Sequence, residues 1–302
     1  MKNKSLLSIN DYSKEEHIQI LDHAEKFEKK PIQNLLNGYV IATLFFEPST
    51  RTRLSFESAI SRLGGRVIGF ADSSSSSVSK GETLKDTILT VSNYADLIVM
   101  RHPKEGSARY ASEVSPVPII NAGDGANQHP TQCLLDMYSI RKTQGTLNDI
   151  KIAFVGDLKY GRTVHSLVIA LCNFNTEFHF VSPPSLKLPN SIKRHIKKNN
   201  LSFQEYYELD NILPIADIIY MTRIQQERFS DPIEYERVKN VYKLTPDLIE
   251  NTKENMKIMH PLPRVNEIVE SVDESSKAYY FTQALNGVYV RQALLTSILG
   301  KI

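Results

Sequence analysis

The sequence predicts an α/β protein made of two parallel-sheet α/β/α domains, on three observations. Short, almost wholly apolar runs recur along the chain: "YVIATLFF", "RVIGF", "DLIVM", "VPIIN", "KIAFVG", "FHFVS", "DIIYM" and "MKIMH". Between most of them lie amphipathic stretches of helical length, the pattern of parallel strands covered by helices on both faces. The chain has 302 residues, enough for about two domains of ordinary size.

Taken in order, the first element is a helix announced by a capping box from Ser13 to Glu16, with Ile20, Leu21, Ala24 and Phe27 on one face. Strands and helices then alternate up to "HPTQCLLDMYSIRKTQG", which reads as a helix opening on Pro130 and ending at Gly145. A break between halves is expected there, and a new strand starts at Lys151. The final stretch, "VYVRQALLTSILGKI", places Val290, Leu294, Leu295 and Ile298 at helical spacing, as for a helix returning to pack on the first domain. The run of serines from Ser73 to Ser79 is the longest low-complexity tract.

Composition excludes several function classes. Hydrophobic residues at 41% and charged residues at 23% suit a globular enzyme, and Lys+Arg 36 against Asp+Glu 34 lacks the basic excess of a nucleic-acid binder. Cys133 and Cys172 sit in segments that read as buried helix faces without metal-ligand spacing, as expected of core thiols in a cytoplasmic protein. The apolar residues of "MKNKSLLSI" are broken at once by "NDYSKEE", a pattern expected of neither a signal peptide nor a membrane span.

The polar clusters follow the strand ends, where parallel sheets place their ligands. In "FFEPSTRTRLSFESAISRLGG" three hydroxyls and two arginines, Ser49 to Arg53, stand at the start of a helix. The first N–H groups of a helix have no intrahelical partner and carry the positive end of the dipole, so this segment predicts a phosphate or similar oxyanion between Phe46 and Leu54. Further clusters are Arg101 and His102, "NAGDGANQHPTQ" with His129 and Gln132, "VGDLKYGRTVHS" with Arg162, "MTRIQQER" with Arg223, Gln225 and Arg228, and "MHPLPR" with the Pro261-Leu262-Pro263 turn. The fourth has only Gly156 and Gly161 and lacks G-x-G-x-x-G, which sets a nicotinamide oxidoreductase aside. There is no nucleophile elbow, P-loop or carboxylate-rich metal cluster. Arginines and amides repeated at strand ends predict a ligand with several negative charges, handled by binding, orientation and oxyanion stabilisation.

The segments "FEPSTRTR", "KGETLKDT", "MRHPKEGSAR", "NAGDGANQHPTQ", "VGDLKYGRTVHS", "MTRIQQER" and "MHPLPR", in this order, resemble the aspartate carbamoyltransferase catalytic chains from about Phe45 to Arg291. The resemblance implies the aspartate/ornithine carbamoyltransferase fold. Residues 1–130 with the C-terminal helix 287–302 would form a carbamoyl-phosphate-binding domain, and 131–286 an aspartate-binding domain. It implies transfer of the carbamoyl group of carbamoyl phosphate to the α-amino group of L-aspartate, giving N-carbamoyl-L-aspartate and phosphate in pyrimidine biosynthesis.

Carried over residue by residue, the resemblance assigns Ser49, Thr50, Arg51 and Thr52 to the phosphate, with Thr52, Arg101 and His129 also reaching the carbonyl oxygen as catalytic groups. Gln132 and the backbone carbonyls of Pro261 and Leu262 would hold the carbamoyl NH₂. Arg162, Arg223 and Gln225 would take the carboxylates of aspartate, with Lys80 and Leu262 alongside. Ser76 and Lys80 would come from a neighbouring subunit of a homotrimer with shared active sites, making the serine run a mobile loop; Ser79 stands here where the family has a basic residue before Lys80. Glu47 and Arg228 resemble residues that pair with substrate-binding arginines on domain closure. No metal or organic cofactor is implied, and a regulatory chain is a further partner the resemblance allows.

The nearest alternative is ornithine carbamoyltransferase, whose acceptor has one carboxylate and an amine side chain. It would want an acidic partner where this chain has Arg223, and "HPLP" stands where that enzyme has "HCLP". An inactive phosphate-binding descendant is opposed by the filling of every catalytic position.

Overall fold

Ser13 accepts from the Glu16 N–H and Glu16 returns the bond to the Ser13 N–H, so the expected capping box opens α1, Lys14–Lys29, whose Ile20, Leu21, Ala24 and Phe27 are buried. The computed structural model describes residues 1–302 apart from Ser76, Glu227, Arg228 and Ser230. The chain divides into two compact units, Met1–Tyr138 with Leu285–Ile302, and Ser139–Ala284. The Pro130 at which a break was expected is the first residue of the helix in which that division falls.

The first unit holds β1 (Val40–Phe45), α2 (Thr50–Arg62), β2 (Arg66–Phe70), α3 (Leu84–Ser92), β3 (Leu97–His102), α4 (Ser107–Val114), β4 (Ile119–Asp124) and the start of α5 (Pro130–Gln144). Its sheet has the order β2-β1-β3-β4, and every pairing is parallel. Residues 41 to 46, 97 to 100 and 119 to 124 are buried, as parallel strands require when both faces are covered. On one face Ala42, Leu44, Ile98, Met100 and Ile119 pack with Ile88, Ala108 and Ala111 from α3 and α4. The edge strand β2 differs, with Arg66, Gly69 and a 36%-exposed Ile68 facing out.

The second unit holds β5 (Lys151–Val155), α6 (Arg162–Leu171), β6 (Glu177–Val181), α7 (Asn190–Lys198), β7 (Phe203–Tyr206), β8 (Ile218–Met221), α8 (Pro232–Val238), α9 (Pro246–Glu250) and β9 (Lys257–Met259). Its sheet, also parallel throughout, has the order β7-β6-β5-β8-β9. The strand β7, "FQEY", is absent from the apolar runs of the sequence because it is an edge strand with Gln204 and Glu205 exposed. In α10 (Tyr280–Ile298), Val290, Leu294, Leu295 and Ile298 are fully buried, and the stretch from Leu285 belongs to the first unit. Among the described residues no helix is long and apolar enough to cross a membrane.

Candidate functional site

In the first unit the polar residues stand where β1, β3 and β4 end. Phe45 pairs in register with Arg101, and the Phe46 N–H donates to the Arg101 carbonyl at 2.9 Å, so the end of β3 is clamped to the chain entering α2. Ser49 is the N-cap of α2 in extended conformation, yet its hydroxyl makes no capping bond and the first turn holds no acidic residue. A helix start with a hydroxyl to spare and no internal anion is open to an external one. Thr52 is buried and Thr50 and Arg51 are exposed. The other arginine of this segment turns elsewhere: Arg53 pairs with Glu57 one helical turn on at 3.0 Å, so the expected two-arginine donor set reduces to Arg51.

Arg101 is largely buried, with a side chain 13% exposed, and its Nη2 lies 2.9 Å from Glu47 Oε2. Burial pulls the guanidinium pKa down and the Glu47 charge only partly opposes it. Arg101 Nε is buried without a hydrogen-bond acceptor among the described residues. A desolvated cation with a donor unmet is a strong anion ligand. His102 is spent structurally, its Nδ1 lying 2.9 Å from Ser107 Oγ and accepting from the Lys104 N–H at 3.0 Å.

The loop after β4 is organised by a buried carboxylate. Asp124 accepts from Asn121 and from the Gln128 N–H through Oδ1, and from Asn127 and the Gly106 N–H through Oδ2, at 2.9 to 3.1 Å. This fixes the approach to His129, buried at the head of α5, whose carbonyl accepts from the Gln132 and Cys133 N–H groups. Gln132 donates its amide nitrogen to Asp136 at 2.8 Å, so its amide carbonyl is the acceptor turned the other way. Cys133 and Cys172 are buried, and neither is in a disulfide. Burial holds Cys133 well above the usual thiol range and Cys172 at about 12.

Lys80 ends a short 3-10 turn, Ser77–Lys80, in the segment after β2. It is exposed, forms no ion pair among the described residues, and lines a recess with Phe70, Ser74, Glu82 and Thr87. Ser76 lies outside the described residues, as does Arg228.

In the second unit the residues follow three adjacent strands, β5, β8 and β9. Thr222 ties the first two together: its N–H and hydroxyl both donate to the Val155 carbonyl at 2.9 Å, and its Oγ1 accepts from the Asp157 N–H at 3.0 Å. Glycine is required at 156, where φ is +112° and an added Cβ would stand 2.4 Å from the Thr222 carbonyl oxygen. Arg162 is the first residue of α6, and Arg223 follows Thr222 directly. Ile224 is buried in an apolar cluster with Leu186 and Val238, and on either side of it Arg223 and Gln225 stay half-buried.

After β9 the turn through Pro261 and Leu262 is half-buried, with Leu262 at φ 56°. It rests on two residues the sequence did not single out, His260 and Glu267, whose side chains meet at 2.7 Å. Burial raises the Glu267 carboxyl, but donors from His260 and the backbone outweigh it and hold the group below its usual range. The only sequence signal was an acid seven residues after the histidine of "HPLPR". Among the described residues no group of three or more His, Cys, Asp or Glu is placed to hold a metal ion.

Comparison with known proteins agrees with this arrangement. The family description "Aspartate/ornithine carbamoyltransferase, carbamoyl-P binding domain" matches residues 4–142, and "Aspartate/ornithine carbamoyltransferase, Asp/Orn binding domain" matches 148–298. The aspartate carbamoyltransferase catalytic subunit of Bacteroides fragilis is 61% identical over 301 residues, covering 99% of this chain and 98% of its own. A solved catalytic subunit of M. jannaschii aspartate transcarbamoylase is 55% identical with a TM-score of 0.92, covering 98% of each chain. Aspartate transcarbamoylase of Trypanosoma cruzi, solved in complex with carbamoyl phosphate and aspartate, is 37% identical with a TM-score of 0.93, covering 99% of this chain and 97% of that one. Matched across both halves and in both sheets, the chain belongs to the aspartate/ornithine carbamoyltransferase family, on the side of the aspartate carbamoyltransferases.

Proposed function

We propose that this chain transfers the carbamoyl group of carbamoyl phosphate to the α-amino group of L-aspartate, releasing phosphate, in the pyrimidine pathway. The observation that carries the reading is the uncapped, acid-free start of α2 beside the buried, incompletely satisfied Arg101. Ser49, Thr50, Arg51 and Thr52 take the phosphate through hydroxyls, guanidinium and helix N–H groups. As the amine attacks the carbamoyl carbon, negative charge grows on the carbonyl oxygen, and Thr52, Arg101 and His129 are the donors that meet it. Gln132, whose amide Asp136 turns into an acceptor, and the carbonyls of Pro261 and Leu262 suit the carbamoyl NH₂. Arg162, Arg223 and Gln225 suit the two carboxylates of aspartate, with Lys80 and Leu262 beside them. The aspartate amine arrives unprotonated and the leaving phosphate takes its proton, so no protein base is needed.

An exposed Lys80 without an ion pair among the described residues, following an edge strand whose Ile68 faces out, supports the further reading that Lys80 and Ser76 serve a neighbouring chain in a homotrimer. Glu47, already at Arg101, fits a residue that exchanges arginine partners on closure, with Arg228 as another. The name "catalytic subunit" carried by the relatives supports a separate regulatory chain as partner. Two buried cysteines outside any disulfide fit work in the cytoplasm.

The test is to supply carbamoyl phosphate with either aspartate or ornithine and measure phosphate release. Release with aspartate alone is expected; turnover with ornithine in its place overturns the proposal.

A further inference from the structure

The segment from His260 to Glu267 is closed on itself by side chains that none of the assigned roles uses. His260 is 2% exposed, and its backbone N–H donates to Gln283 Oε1 at 2.9 Å. Its Nδ1 accepts from the Leu262 N–H at 2.7 Å, and its Nε2 lies 2.7 Å from Glu267 Oε1. The second Glu267 oxygen accepts from the N–H groups of Val265 and Asn266, both at 3.1 Å. Glu267 is itself anchored, its carbonyl taking the Leu244 N–H at 2.8 Å.

Two consequences follow from elementary geometry. An Nδ1 that accepts from an amide cannot carry a proton, so the neutral ring holds its proton on Nε2 and donates it to Glu267. The Leu262 N–H belongs to the same planar unit as the Pro261 carbonyl, and in a trans peptide these two point in opposite directions. Pinning the N–H to His260 therefore turns the Pro261 oxygen away from the imidazole. The pin also holds Leu262 at φ 56°, where a residue with a Cβ rarely stays unaided.

We propose that His260 is a positioning residue for the amino group of the donor substrate: its Nδ1 presents the Pro261 carbonyl as acceptor for the carbamoyl NH₂, and Glu267 fixes the tautomer that makes this possible. The proposal rests on the reading that Pro261 and Leu262 hold that NH₂. It makes His260 a determinant of specificity, because a donor in which methyl replaces the amino group gains nothing from the carbonyl and loses by desolvating it.

The experiment compares carbamoyl phosphate with acetyl phosphate, its methyl counterpart, by calorimetric binding without aspartate. The ratio of the two dissociation constants does not depend on how much of a sample is folded. His260→Asn places an amide oxygen near the former Nδ1 and keeps the acceptor for Leu262. His260→Gln reaches the Nε2 position, keeps a donor for Glu267 and leaves the Leu262 N–H unmet. His260→Gln should lower the preference for carbamoyl phosphate by about tenfold, the loss of one modest hydrogen bond, while His260→Asn keeps it within about threefold. Equal losses in both variants, or none in either, overturn the proposal. In the unsubstituted protein, ¹⁵N shifts should place the His260 proton on Nε2, and a proton on Nδ1 overturns it without any substitution. If the unsubstituted protein fails to prefer carbamoyl phosphate, the amino-group role of Pro261 falls and this proposal with it. A wild-type preference that His260→Gln leaves intact refutes His260 alone.

Discussion

Gln132 donates its side-chain amide to Asp136 at 2.8 Å, both residues buried within the first unit. Asp136 also supplies the charge that opposes the burial of Arg291, which is pushed down to about 10 by desolvation, touches Ser55 at 3.0 Å and stacks over Phe56. One carboxylate thus orients a candidate substrate ligand and compensates a buried cation. Asp136→Ala should cost about 3 kcal/mol in urea unfolding, because it strands a buried charge. It should also weaken carbamoyl phosphate binding. Asp136→Asn, which can still accept from Gln132, should lose stability while holding that affinity within about threefold. Calorimetry and denaturation on both variants check the separation.

Arg223→Ala should lower kcat/KM for aspartate by about two to three powers of ten, the loss of a charge-assisted contact to a carboxylate. Carbamoyl phosphate binding should change little. Equal loss for both substrates would remove Arg223 from the acceptor set.

At position 156, alanine meets both a positive φ and the Thr222 carbonyl. Gly156→Ala should destabilise the protein by about 2–4 kcal/mol, from backbone strain and overpacking together. Because Thr222 is the residue displaced and Arg223 follows it, steady-state kinetics should show aspartate use suffering more than carbamoyl phosphate binding.

Sharing of sites around a trimer is tested by mixing. Lys80→Ala and Arg51→Ala should each nearly abolish activity in a pure trimer. In any mixed ring, one interface joins an intact Arg51 to an intact Lys80. Activity should return to about one third of wild type per hybrid trimer, as cyclic head-to-tail contacts require. Mixing that restores nothing would place Lys80 and Arg51 in service of the same chain.

Glu267 gives a pH dependence whose sign is set by its lowered pKa. A carboxyl with a native pKa below its usual value near 4.5 binds fewer protons folded than unfolded, so acid favours unfolding. Its contribution is complete above about pH 4.5 and is lost as pH falls through the native value. Glu267→Gln should be less stable at neutral pH and should lose less than wild type on acidification below pH 4.5, in thermal melts across that range.

Eight of the nine described strands could be read from apolar runs, and the exception shows what the reading depends on. Strands such as "KIAFV" are buried on both faces, which forces a continuous apolar sequence. The edge strand "FQEY" pairs on one side only and keeps its polar residues in water. Among the candidate site residues, the hydroxyls and arginines gathered at the start of a helix and the arginines at strand ends were equally visible. The difference between Arg51 and Arg53 was legible too, in the i,i+4 spacing from Arg53 to Glu57, though the sequence reading did not draw it.

The sequence by itself determined the features encoded within one turn or one strand: the capping box at Ser13, the helix closing at Gly145, the parallel strands, and the basic and hydroxyl residues that follow them. Only the tertiary structure decided which buried groups support those residues. Asp136 and Arg291 stand far apart in the chain, and His260 reaches Glu267 across a turn whose path no local propensity specifies. The reason is physical: caps and apolar periodicity act between neighbours, whereas a buried charge finds its partner only after packing has excluded water and left that partner as the one available compensation.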